Sequence, residues 1–117
     1  MATKRAETAV AVLITERGPK NITVDAREKS PYTHDALGGT PTFLGAWNNC
    51  VYMMGRAEPE DGAPCIDATL VPASNREPGP LMAPILVTKL DDEYRPVDFT
   101  VECLARLTRE ASDATSM

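Results

Sequence analysis

His34 is the one histidine of the chain, and the three cysteines are Cys50, Cys65 and Cys103. A thiol beside an imidazole is a short route to a nucleophile, because the ring takes the thiol proton and a neighbouring carboxylate can orient the ring. Asp35 follows His34 directly, so a small cysteine-dependent enzyme using His34 with Cys50 or Cys65 is one reading of these residues. Chain neighbours rarely meet in that geometry, however. We read His34 as a loop histidine and assign no catalytic residue. Three cysteines, an odd number without a Cys-x-x-Cys pair, fit neither a disulfide framework nor a zinc site, and they indicate reduced thiols in a cytoplasmic or nuclear setting.

The remaining polar clusters carry less chemistry. Asp91-Asp92-Glu93 offers carboxylates, but a calcium loop needs six to eight oxygens at set spacing, and its glycine and closing glutamate are absent. A solvated hairpin tip is expected there. Gly38-Gly39-Thr40-Pro41 lacks the Gly-Lys-Ser/Thr ending of a phosphate-binding loop and reads as a turn. No metal, cofactor or small-molecule ligand is expected.

Binding chemistry is better represented. Along a strand through Cys50 to Met54, Tyr52 and Met54 fall on one side and Val51 and Met53 on the other. One set must be core, and the other, with Trp47, could face a partner, since aromatic residues and Met are favoured at contacts. Five prolines between residues 55 and 83, with Pro84 just beyond, keep a regular ladder out of that stretch. It reads as an irregular arm that lies along a neighbour through Leu70, Val71, Leu81 and Met82, with Ala68 to Val71 at most pairing briefly.

Strands and one helix must position these groups. Residues 8–16 are apolar on both period-2 faces, which suits a strand covered on both sides, while the small alanines on one face leave a helix as the alternative. A turn at Arg17 to Asn21 leads to a return strand at Ile22-Thr23-Val24, and Asp25 to Gly39 reads as a long loop with at most one short helical turn. A second hairpin pairs Thr42-Phe43-Leu44 with Cys50 to Met54 across Gly45 to Asn49. Pro84 to Leu90 is the clearest strand, ended by the acidic cluster. At the C-terminus Thr100 is an N-cap, Phe99 and Leu104 form a hydrophobic staple, and Val101, Leu104, Leu107 and Ala111 mark the buried face of an amphipathic helix. Four or five short strands with this helix across one face give an α+β fold, a single domain over residues 1–117 with an irregular segment at 55–83 and a flexible tail at 112–117.

Composition limits the partners. The chain of 117 residues has a net charge of −5, with six Lys/Arg against four Asp/Glu in residues 1–30 and six against thirteen in the remainder. Phosphate backbones call for a clustered cationic face, so nucleic acid is excluded as the main partner. No apolar run reaches the roughly 18 residues that a membrane span requires, and no signal-peptide h-region follows the N-terminal basic residues.

Two stretches carry a resemblance. Leu37-Gly38-Gly39-Thr40-Pro41-Thr42-Phe43-Leu44-Gly45-Ala46-Trp47 with Val51 to Met54 forms a Gly-Gly-x-x-Thr-Phe-x-Gly block before an aliphatic strand, and Gly79 to Pro84, running through Ile85 to Asp92 and on to Pro96-Val97, leads to an Asp98-Phe99-Thr100-x-Glu102 helix start. Together they resemble a family of small proteins encoded by large algal DNA viruses and some algae. The resemblance implies a fold and a viral or algal setting, and supplies no activity. The expectation is a non-enzymatic structural or interaction protein: a minor capsid or other virion component, or a subunit of another large assembly of protein chains.

Overall fold

The computed structural model describes residues 7–27, 30–72, 76 and 79–115. Its centre is a six-stranded sheet in which β1 (Thr8–Thr15), β2 (Gly18–Asp25), β3 (Pro41–Trp47), β4 (Val51–Arg56) and β5 (Ile85–Leu90) lie in the order β2-β1-β5-β4-β3. A short β6 (Pro96–Val97) pairs with the end of β5, and every pairing is antiparallel. Helix α1 (Tyr32–Leu37) and helix α2 (Val101–Thr115) complete the α+β architecture.

β1 is sandwiched, as its two apolar faces require. Val12 and Ile14 join Val51, Met53, Ile85, Val87, Phe99 and Leu104 in a core on the α2 side. Ala9 and Ala11 join Val24, Leu37 and Leu86 in a second, smaller core on the α1 side. The six-residue α1 packs on this face over β5, with further contacts to β2, β3 and β4. Full burial of side chains such as Ile14, Ile85 and Leu104 stabilises the fold by about 1.5–3 kcal/mol each before entropy is counted.

Several boundaries differ from the sequence reading. The first turn is only Glu16-Arg17, because Gly18 reverses the chain at φ +103°, and Pro19, Lys20 and Asn21 belong to β2. Proline is tolerated there since β2 is an edge strand. Likewise Gly45-Ala46-Trp47 continues β3 past a bulge at Leu44, and the reversal falls on Asn48 and Asn49, both with positive φ, a conformation asparagine accepts at low cost. His34 sits in α1, not in a loop. At the C-terminus, helix α2 runs to Thr115, so residues 112–115 of the expected tail are helical, while 116–117 lie outside the described residues.

The largest correction concerns the proline-rich segment. Residues 64–66 pair with residues 81–83 through a bridge between Cys65 and Met82, with Ile66 N–H donating to the Leu81 carbonyl at 2.8 Å and Ala83 N–H to the Pro64 carbonyl at 2.9 Å. Ala68–Leu70 forms a 3₁₀ turn capped by the Asp67 carboxylate, not a strand. Ile66, Val71 and Leu81 are buried in the core beneath α2. The segment folds back onto its own sheet instead of extending toward a neighbour.

The predicted start of α2 is present and reinforced. Thr100 Oγ1 accepts from Cys103 N–H at 3.3 Å, Phe99 and Leu104 are both buried, and Asn21 of β2 adds a second cap by accepting from Val101 N–H at 2.8 Å. That last bond ties the helix start to the far edge of the sheet.

Candidate functional site

Seven residues carry the expected contact surface, and the structure sorts them by face and depth. Trp47, Val71 and Leu81 are core residues, exposed by 4 % or less, and cannot meet a partner. Trp47 is buried because β3 extends to it and points it, opposite Val51, into the α2-side core. Val71 and Leu81 are buried because the arm docks on that same core. Leu70 and Met82 are half-buried: Leu70 packs against the core below α2, and Met82 Sδ lies 3.4 Å from Cys65 Sγ.

Tyr52 and Met54 behave differently. Both stand on the α1 side of β4, opposite Thr88 and Leu86 of β5, and both are half-buried. Pairing across to β3 places Ala46 beside Tyr52 and Phe43 beside Met54 on this face. Leu90, two residues beyond Thr88, continues the row. Helix α1 is too short to cover the whole sheet. Phe43 is 48 % exposed, one of two large apolar side chains so exposed among the described residues. The result is an apolar strip, Leu90–Tyr52–Ala46–Met54–Phe43, running toward β3, the last strand of the sheet, which Arg76 bridges at Gly45. The sequence marked Tyr52 and Met54; it missed Phe43, whose exposure depends on where α1 ends.

The thiol–imidazole arrangement does not form. His34 is exposed on α1, whereas Cys50 and Cys103 pack against the core on the α2 side, and Cys65 sits on the arm that docks there. The sheet separates the ring from the thiols. Asp91 serves its turn: one carboxylate oxygen accepts from Glu93 N–H at 2.8 Å and Arg95 N–H at 3.0 Å. Among the described residues no group of three or more His, Cys, Asp or Glu is arranged to hold a metal ion. Gly38 closes α1 at φ +70°, donating to the His34 carbonyl, so the Gly-Gly stretch is a helix stop.

One arrangement on the α2 side was not anticipated. Cys50, at the end of the β3–β4 turn, and Cys103, in the first turn of α2, line a common groove of about 210 Å³ together with Lys89, Asp98, Arg106 and Glu110. The Thr100 hydroxyl donates to Cys103 Sγ at 3.3 Å. That hydrogen bond, aided by the Cys103 backbone's bond to Thr100 and by Arg106 and Lys89, holds the Cys103 thiol below its ordinary range.

Residues 12–106 match the model of a family of unknown function, DUF5880. The chain belongs to that family. The match spans the sheet from within β1 to the first turns of α2, and so contains the apolar strip and both thiols of the groove. No curated protein and no solved structure matches this DUF5880 chain. Among the described residues no helix is long and apolar enough to cross a membrane.

Proposed function

We propose that this DUF5880 protein is a non-enzymatic interaction protein, a subunit of a larger protein assembly, which it joins through the uncovered part of its α1-side sheet face. The observation that carries the reading is the strip Leu90–Tyr52–Ala46–Met54–Phe43, with Phe43 48 % exposed beside a strand at the edge of the sheet. Phe, Tyr and Met are enriched in the cores of protein contacts, and a contiguous apolar row on a folded domain favours burial against another surface. The acidic net charge of −5 directs the reading to protein partners and not to nucleic acid. Three unpaired cysteines support a reducing compartment, cytoplasm or nucleus. The resemblance of the Leu37–Trp47 and Gly79–Glu102 blocks to proteins of large algal DNA viruses makes a virion one such assembly.

Phe43→Glu tests the reading, because the side chain is half exposed and its replacement leaves the core in place. Tagged wild-type chain expressed in its native cell should co-purify with protein subunits at fixed stoichiometry. The Phe43→Glu chain should lose them while unfolding within a few degrees of wild type. Retention of the same subunits by a folded Phe43→Glu, Tyr52→Ser double variant would overturn the assignment.

A further inference from the structure

The groove on the α2 side brings together two thiols and two cations that the interaction reading does not use. Cys103 is in the first turn of a 15-residue helix, half-buried, with its sulfur accepting from Thr100 Oγ1. Cys50 lines the same space from the end of the β3–β4 turn, and Lys89 lines it from β5. Arg106 lies one turn further along α2, while Asp98 and Glu110 also line the groove. Asp98 is engaged elsewhere through Oδ1, which accepts from Val10 N–H at 2.9 Å.

We propose that this groove is a thiol-modification site, at which Cys103 exchanges with small disulfides bearing carboxylates and Cys50 releases the adduct. In the first step the Cys103 thiolate attacks one sulfur of the small disulfide. A new S–S bond joins the small thiol to Cys103, and the other half leaves as a thiolate. In the second step the Cys50 thiolate attacks Cys103 Sγ in that mixed disulfide, forming a Cys50–Cys103 bond and expelling the second half. Each step exchanges one S–S bond for another, so the only oxidant consumed is the small disulfide itself. Lys89 and Arg106 supply the attraction for its carboxylates, and the 210 Å³ of space admits more than a single sulfur atom.

Cys65 is the built-in control, since it is the exposed cysteine and accessibility alone makes it the fastest. Reduced protein is treated with oxidised glutathione near neutral pH, quenched with acid at intervals, and mapped by peptide mass. Cys103 should react at least about tenfold faster than Cys65, because the thiolate is the attacking form. Cys50→Ser should accumulate the mixed disulfide at Cys103, whereas wild type should convert it to the intramolecular bond. Lys89→Gln with Arg106→Gln should slow exchange with oxidised glutathione but not with uncharged hydroxyethyl disulfide. Faster reaction at Cys65 in the folded chain, an adduct at Cys103 equally persistent with and without Cys50, or a Lys89→Gln, Arg106→Gln chain that treats both disulfides as wild type does would each overturn the proposal.

Discussion

Leu81→Ala asks whether the proline-rich arm is part of the domain or an appendage. Leu81 is 3 % exposed and shares a core with Ile66, Val71, Phe99 and Leu104, contributed by the arm itself and by the α2 region. Truncation to alanine removes three carbons from that core, worth about 0.8 kcal/mol each in transfer, and the cavity left behind brings the cost to about 2–5 kcal/mol. For 117 residues the unfolding entropy near the midpoint is about 0.25 kcal/mol per degree, so Tm should fall by about 8–20 °C. Differential scanning calorimetry measures this, with Glu60→Ala, an exposed arm residue, expected within about 2 °C of wild type. Trypsin supplies the local readout: in free wild type, cleavage after Arg56 should be slow, and Leu81→Ala should accelerate it. A Leu81→Ala protein with the Tm of Glu60→Ala and the wild-type cleavage rate would show that the arm does not hold to its own sheet, and would restore the idea of an arm that docks on a neighbour.

The helix start and the acid limit of the fold give further tests. Thr100→Ala removes the acceptor for Cys103 N–H and should cost about 1 kcal/mol, while Leu104→Ala, at 1 % exposure, should cost about 2–5 kcal/mol; equal and negligible effects in urea would show that α2 does not dock. Asp25 accepts from the Arg27 guanidinium at 2.7–3.1 Å and from its backbone N–H at 2.9 Å, which holds the carboxyl well below its usual range. A depressed folded-state value means that the contribution is complete above the unfolded value of about 3.9 and disappears as pH falls through the folded value. Asp25→Asn should therefore lower Tm near neutral pH, and the gap to wild type should narrow in strongly acidic buffer; a gap independent of pH would assign the loss to something other than the carboxylate.

How much of this could be read from residue order depends on the range of the forces involved. β5 and the start of α2 were legible because their signals are local: an aliphatic run closed by Asp91-Asp92-Glu93, and a Thr100 cap between Phe99 and Leu104. β1 was legible as a doubly covered strand because both of its faces are apolar. The β3 boundary was not, since Gly45 reads as a breaker until the bulge at Leu44 and its pairing with Met53 are known. Arm residues Ile66, Val71 and Leu81 share no helical or strand period, so their burial together follows only from the Cys65–Met82 bridge that folds the segment back.

The two functional surfaces follow the same rule in opposite ways. Alternation alone separated Tyr52 and Met54 from Val51 and Met53, so two of the five residues of the apolar strip were readable. Phe43 was not, because its exposure is set by a six-residue helix whose only fully buried side chain is Leu37 and which ends at Gly38. For the groove, the Thr100-x-x-Cys103 spacing already places a thiol beside a capping hydroxyl, the N-cap-to-N3 relation of any helix start. That spacing could have singled out Cys103 from the other two cysteines. What no spacing contains is the approach of Cys50, 53 residues earlier, which arises because β4 pairs with β5 and β5 leads through β6 into α2. The pairing that buries Val51 thus also carries Cys50 to the foot of the helix, and a register slip of one residue in that pairing would turn Val51 out and separate the two thiols at once.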